Sequence, residues 1–131
     1  MEVINWKEQA IRETPHKVDV RLLYETDDAQ AMHIRLFPGE ALKPHITPVD
    51  VFFFVLEGRP TIQVGKDLAE VKENMLVESP RDIVHCLFNN SDKPVRILVV
   101  KAPRTQEKSR LIPTEPTLSR KSLVPLFFLT K

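Results

Sequence analysis

A chain of 131 residues has room for one domain and little more. Its 42% hydrophobic and 28% charged residues are those of an ordinary globular protein, and a net charge of +1 gives no reason to expect nucleic acid as a partner. The single cysteine, Cys86, excludes an intrachain disulfide, and no apolar run approaches the roughly 18 residues that cross a membrane. The charge is uneven: residues 101–131 carry a net +5, which fits a solvated basic tail. The segment Met1 to Ala10 is polar and mixed in charge, unlike a signal peptide, so a cytoplasmic, reduced setting is expected. Eleven prolines against three glycines argue against long helices.

In chain order, residues 3–12 place Val3, Ile4, Trp6, Ala10 and Ile11 among charges, which fits one helical turn or a short strand. Beyond Pro15, Val18, Val20 and Leu22 alternate with Asp19 and Arg21, the period of a half-buried strand. Thr26-Asp27-Asp28 supplies a turn, and Ala31 to Phe37 reads as the next strand, ended by Pro38-Gly39. Val51 to Leu56, rich in aromatic and β-branched residues, is the most strand-like stretch and is closed by Glu57-Gly58. Further strands are expected at Thr61 to Val64, Leu68 to Lys72, Met75 to Glu78, Val84 to Phe88 and Val95 to Lys101, with a hairpin at Gly65-Lys66-Asp67 and a turn at Asn89 to Asp92. Short strands with turn signals every 8–12 residues point to an all-β sandwich or barrel. After Pro103 the alternation stops, and Leu123 to Leu129 form an apolar end expected to dock on the domain or on a dimer mate.

Two segments carry chemistry. From Gly39 the chain reaches His45 six residues on and closes at Gly58; from Asn74 it passes Pro80, then His85, then Asn89. These resemble, in order and separation, the two motifs of the cupin family. The first runs Gly, five residues, His-x-His, three or four residues, Glu, six residues, Gly. The second runs Gly, five residues, Pro-x-Gly, two residues, His, three residues, Asn. The resemblance covers about residues 30–103. It implies a cupin-type double-stranded β-helix, or jelly-roll, barrel over residues 1–103, with residues 104–131 as an extended C-terminal arm.

Cupins that hold a metal usually offer three histidines and one glutamate. Here Thr47 stands at the second histidine, Val51 at the glutamate with Asp50 beside it, and Asn74 and Asp82 at two glycines. Asn and Asp are the non-glycine residues that best tolerate left-handed backbone. The resemblance thus implies a divalent ion (iron, zinc, nickel, copper or manganese) on His45 and His85, and the neighbouring residues offer His33 or Asp50 as an additional ligand. Strand alternation argues against Asp50, because Val51, Phe53 and Val55 would share the opposite face. Alternatively, His45 and His85 line a metal-free pocket and hydrogen-bond a small ligand. Thr47 is expected as a polar wall, Arg35 and Arg81 at the pocket mouth, where they would favour a carboxylate, and Phe53 as core or ligand wall. His16 is expected in a surface loop, and Cys86 as a buried thiol facing away from His85. The function expected is small-molecule binding at an incomplete divalent-metal site, with dioxygenase, decarboxylase or isomerase chemistry if the protein turns over. A metal-free binding or sensing barrel is the alternative. The expected partners are a small molecule and a second copy in a homodimer, with neither nucleic acid nor membrane.

Overall fold

The computed structural model describes residues 1–105 and 110–112. A 3-10 turn at Trp6–Glu8 precedes ten strands among the described residues: β1 (Asp19–Glu25), β2 (Gln30–Leu36), β3 (Ala41–Ile46), β4 (Asp50–Glu57), β5 (Thr61–Val64), β6 (Asp67–Glu70), β7 (Leu76–Ser79), β8 (Val84–Phe88), β9 (Val95–Ala102) and β10 (Arg110–Leu111). Every pairing is antiparallel. One sheet runs β1-β2-β9-β4-β7 and the other β10-β3-β8-β5-β6. This is the all-β architecture that the alternation and the turn spacing anticipate, in the jelly-roll form that the resemblance implies.

The period-two pattern decides what lies between the sheets. Val20, Met32, Ile34, Val51, Phe53, Leu87, Ile97 and Val99 meet there in one apolar cluster. Burying each of the larger side chains contributes about 1.5–3 kcal/mol. Gly58 ends β4 at φ 85°, where an added Cβ would lie 2.7 Å from Val95 Cγ1 and 2.8 Å from the Pro94 carbonyl oxygen, so no side chain fits. Asn74 (φ 72°) and Asp82 (φ 63°) hold the left-handed turns that the motif otherwise gives to glycine.

Two strands are not anticipated by the alternation. Strand β3 contains Pro44, and its register against β8 shifts between Leu42 and His45, so the residue without an N–H sits where the ladder is already interrupted. Strand β10 pairs with His45 and Ile46, which carries the sheet past residue 103 into the stretch read from sequence as an arm. The apolar end at residues 123–129 lies outside the described residues. No helix among the described residues is long and apolar enough to cross a membrane.

Candidate functional site

Between the sheets lies a cavity of about 240 Å3, walled mainly by Met32, Ile34, Leu42, Val51, Phe53, Val99 and Leu111. Polar groups reach it from both sheets, Gln30 and Lys101 from one and His45 and His85 from the other, and Thr14 and His16 reach it from the segment before β1.

His45 on β3 and His85 on β8 are direct cross-strand partners, so their rings meet edge to face with centroids 4.4 Å apart. Their Nε2 atoms are 3.0 Å apart. His45 Nδ1 lies 2.8 Å from the Lys43 carbonyl, which can only accept, so Nδ1 carries the proton and Nε2 is a bare lone pair. His85 therefore donates from Nε2 to His45, and its own Nδ1 accepts from the Ser79 hydroxyl at 2.7 Å. Thr47 Oγ lies 3.3 Å from the same His85 Nε2, and the Phe53 ring stands 5.2 Å away, edge-on to the imidazole. Burial holds both rings neutral. The pKa of His45 falls below the ordinary value, and that of His85 falls to about 3, in both cases chiefly through burial.

The sequence points His16 toward the surface; the structure instead puts it on the cavity wall, its ring centroid 4.9 Å from that of His45. Its Nδ1 accepts the Lys43 N–H at 2.9 Å, so in the neutral ring Nε2 keeps its proton. Burial, then the charges of His45, Lys43 and Lys101, lower its pKa to about 4. As bound here, His16 has an N–H to give and no lone pair to offer a metal.

The other residues singled out from sequence divide. Thr47 and Phe53 stand beside His85. His33 does not join them. Strand β2 turns Met32 and Ile34 inward, which sends His33 to the opposite face, where it stacks on Trp6 at 3.9 Å and accepts from Arg96 Nε at 3.0 Å. Asp50 is exposed, accepting the Arg81 N–H at 2.9 Å with the Arg81 guanidinium alongside, and those hydrogen bonds hold its carboxyl below the usual range. Arg81 is therefore an exterior partner of Asp50. Arg35 also lies outside, in an ion pair with Asp19 at 2.8 Å and over the Trp6 and Phe37 rings. Cys86 is buried facing away from His85, its thiol donating to the Leu42 carbonyl at 3.1 Å.

Ser79, His16 and Lys101, with Thr14 and Gln30, are polar contributors that sequence reasoning missed. Lys101 had a readable signal: it continues the inward series Val95, Ile97, Val99 by one more step of two. Ser79 and His16 had none, because a hydroxyl before a proline and a histidine after one are common in loops.

Among the described residues, no three His, Cys, Asp or Glu side chains gather as a metal-holding group. The donor set comes to two imidazoles, His45 and His85, with Thr47 and Val51 where a third and fourth ligand would stand.

The family model described as a cupin domain matches residues 32–101. No curated protein matches the sequence. Among solved structures, the chain is similar to the protein TT1209 from Thermus thermophilus, at 30% identity and a TM-score of 0.70, covering 80% of this chain and 100% of that one. It is similar in fold to the polyketide cyclase RemF from Streptomyces resistomycificus (19% identity, TM-score 0.74, 88% of each chain). KdgF from Halomonas sp. is a further likeness (14% identity, TM-score 0.68, 76% of this chain and 91% of that one).

Proposed function

The chain belongs to the cupin domain family, and we propose that it is a small-molecule-binding cupin whose cavity sets one compact, largely apolar ligand against the neutral His45–His85 pair. The observation that carries this reading is the pair itself: two buried imidazoles, hydrogen-bonded to each other at 3.0 Å, at the wall of a cavity of about 240 Å3. That volume is below the roughly 300 Å3 at which pockets begin to take drug-sized molecules, so the occupant is small. Lys43 and Ser79 fix the tautomers of the pair. A ligand that accepts the His85 Nε2 proton in place of His45 frees the His45 lone pair to take a ligand hydroxyl or N–H. The pair thus offers one donor and one acceptor without either ring being charged.

A second reading is favoured by one specific feature. The converging Nε2 atoms, each backed at Nδ1 by a carbonyl or hydroxyl, are what a divalent ion requires of two histidine ligands. His45 and His85 would hold it, and when bound it would supply Lewis acidity. With two protein donors the ion would be held weakly.

Elemental analysis of protein purified without tag or chelator separates the two readings. The metal-free reading expects metal well below one equivalent and saturable small-molecule binding that survives chelation. Near-stoichiometric metal, lost in both His45→Ala and His85→Ala, would install the second reading in its place.

A further inference from the structure

One charged group in the cavity, Lys101, has no counterpart among the described residues. Lys101 sits on β9 opposite Gln30 of β2 and Val51 of β4, and Val51 in turn faces Ser79 of β7. These four residues form one row across the first sheet. On the second sheet the facing row contains Leu111, His45 and His85. The ammonium and the imidazole pair therefore stand on opposite walls of a single cavity, in sheets that pack about 10 Å apart.

Lys101 is half-buried, and most cations placed like this have a carboxylate beside them, because unpaired burial of a charge is costly. Arg21 and Arg35 have Asp19, Arg96 has Glu57, and Arg104 has Glu25 and Asp27. Among the described residues Lys101 has no hydrogen-bond acceptor and no acidic partner. Its pKa is lowered by burial, and next by the Arg12 charge. No carboxylate of the described residues lines the cavity.

Resting on the small-molecule reading, and narrowing it, we propose that the cavity is a site for a small organic acid. Its carboxylate pairs with Lys101, its apolar body lies along Val51 and Val99, and its far end meets His45 and His85. The sequence pointed toward a carboxylate through Arg35 and Arg81, but both of those side chains are outside the barrel; among the described residues Lys101 is the cation that enters it. His16 adds an N–H donor on the same wall as His45. Lys101 is a specificity-determining residue on this account: it selects for the charge of the ligand, while the histidine pair and the apolar walls recognise the rest.

The test uses the full chain and paired probes, a series of acids from butyrate to benzoate and the amide of each, titrated by calorimetry and by ligand-detected NMR. Wild type should bind at least one acid ten or more times as tightly as its amide. Lys101→Met and Lys101→Gln, checked for an unchanged fold by circular dichroism, should each lose that preference and leave the amide affinity as it was. Val99→Phe, which fills the cavity, should lose acid and amide alike. Equal affinity for acid and amide in wild type, or an acid preference that survives both Lys101 variants, overturns the carboxylate assignment; loss of binding in Val99→Phe would then leave the pocket reading intact. Failure of every probe to bind wild type overturns both.

Discussion

Two histidine clusters lie on opposite faces of the same barrel. On the inside, His45 and His85 meet over a cavity. On the outside, His33 is packed under Trp6, within a group that also holds Arg21, Arg35 and Arg96. Both clusters are buried, with His33 and His85 exposed by only 1% and 2%, and burial drives their pKa values down to about 4 and about 3. Burial and a depressed pKa therefore do not distinguish a site from a structural plug. What distinguishes them is the space each faces. The His33 ring is covered by an indole that fits it at 3.9 Å with the planes 15° apart, and the Arg21 guanidinium is tied to backbone carbonyls of Trp6, Lys7 and Gln9. The inner pair instead borders a cavity lined by Phe53, Val99 and a lysine with no acidic partner among the described residues.

Changes to the outer cluster should move stability and leave binding alone, while changes to the inner one should move binding, with or without a cost in stability. The largest effect expected is that of Trp6→Ala, which uncovers His33 and removes the face over which three guanidinium groups lie. A loss of about 2–3 kcal/mol in chemical denaturation is expected, with small-molecule affinity within twofold of wild type. A large loss of affinity would join the two faces functionally.

The pH dependence of folding comes next. The His33 pKa, about 4 in the folded chain, lies below its ordinary 6.5, so the unfolded chain binds the proton first as the solution is acidified. Its stabilising contribution is full above pH 6.5 and is lost as pH falls from there toward 4. His33→Gln should flatten the fall in denaturation midpoint across that window, and an unchanged slope would show that His33 titrates normally.

Ser79→Ala should cost about 1–2 kcal/mol by leaving the buried His85 Nδ1 without its donor. Because it also frees the tautomer of the pair, ligand affinity should fall, which separates it from the outer variants. Asp50→Asn should be the smallest change: its carboxylate is on the exterior with Arg81, so neither metal uptake nor ligand affinity should shift. A tenfold loss of metal binding in that variant would return Asp50 to the site.

The parts of the molecule written in alternation are legible in the sequence. Val18-Val20-Leu22 and Val51-Phe53-Val55 announce both their strands and their inward faces, and the same alternation already places Asp50 away from the barrel interior. The histidine pair is legible because two motifs, in the right order, bring a residue before β4 opposite one in β8. Strand β3 is hidden by Pro44, whose cost is absorbed by a local register shift that no pattern of two reports. His33 misleads because spacing from Gly39 says nothing about which face of a strand a ring takes; its neighbours Met32 and Ile34 do. Lys101 escapes notice because lysine at a strand end reads as solvated, although its phase puts it inside. His16 depends on a backbone hydrogen bond from Lys43, twenty-seven residues away, and no local signal encodes such a contact.

The most direct measurement is a long-range proton–nitrogen correlation spectrum of the four imidazoles at pH 7, taken with and without a saturating small carboxylate that the binding series identifies. Neutral rings are expected throughout, with His45 protonated at Nδ1 and His85 at Nε2. Addition of the ligand should move the His45 and His85 signals and leave those of His33 in place. A spectrum in which His33 responds while the inner pair stays fixed would contradict the account and put the binding site on the outer face, under Trp6.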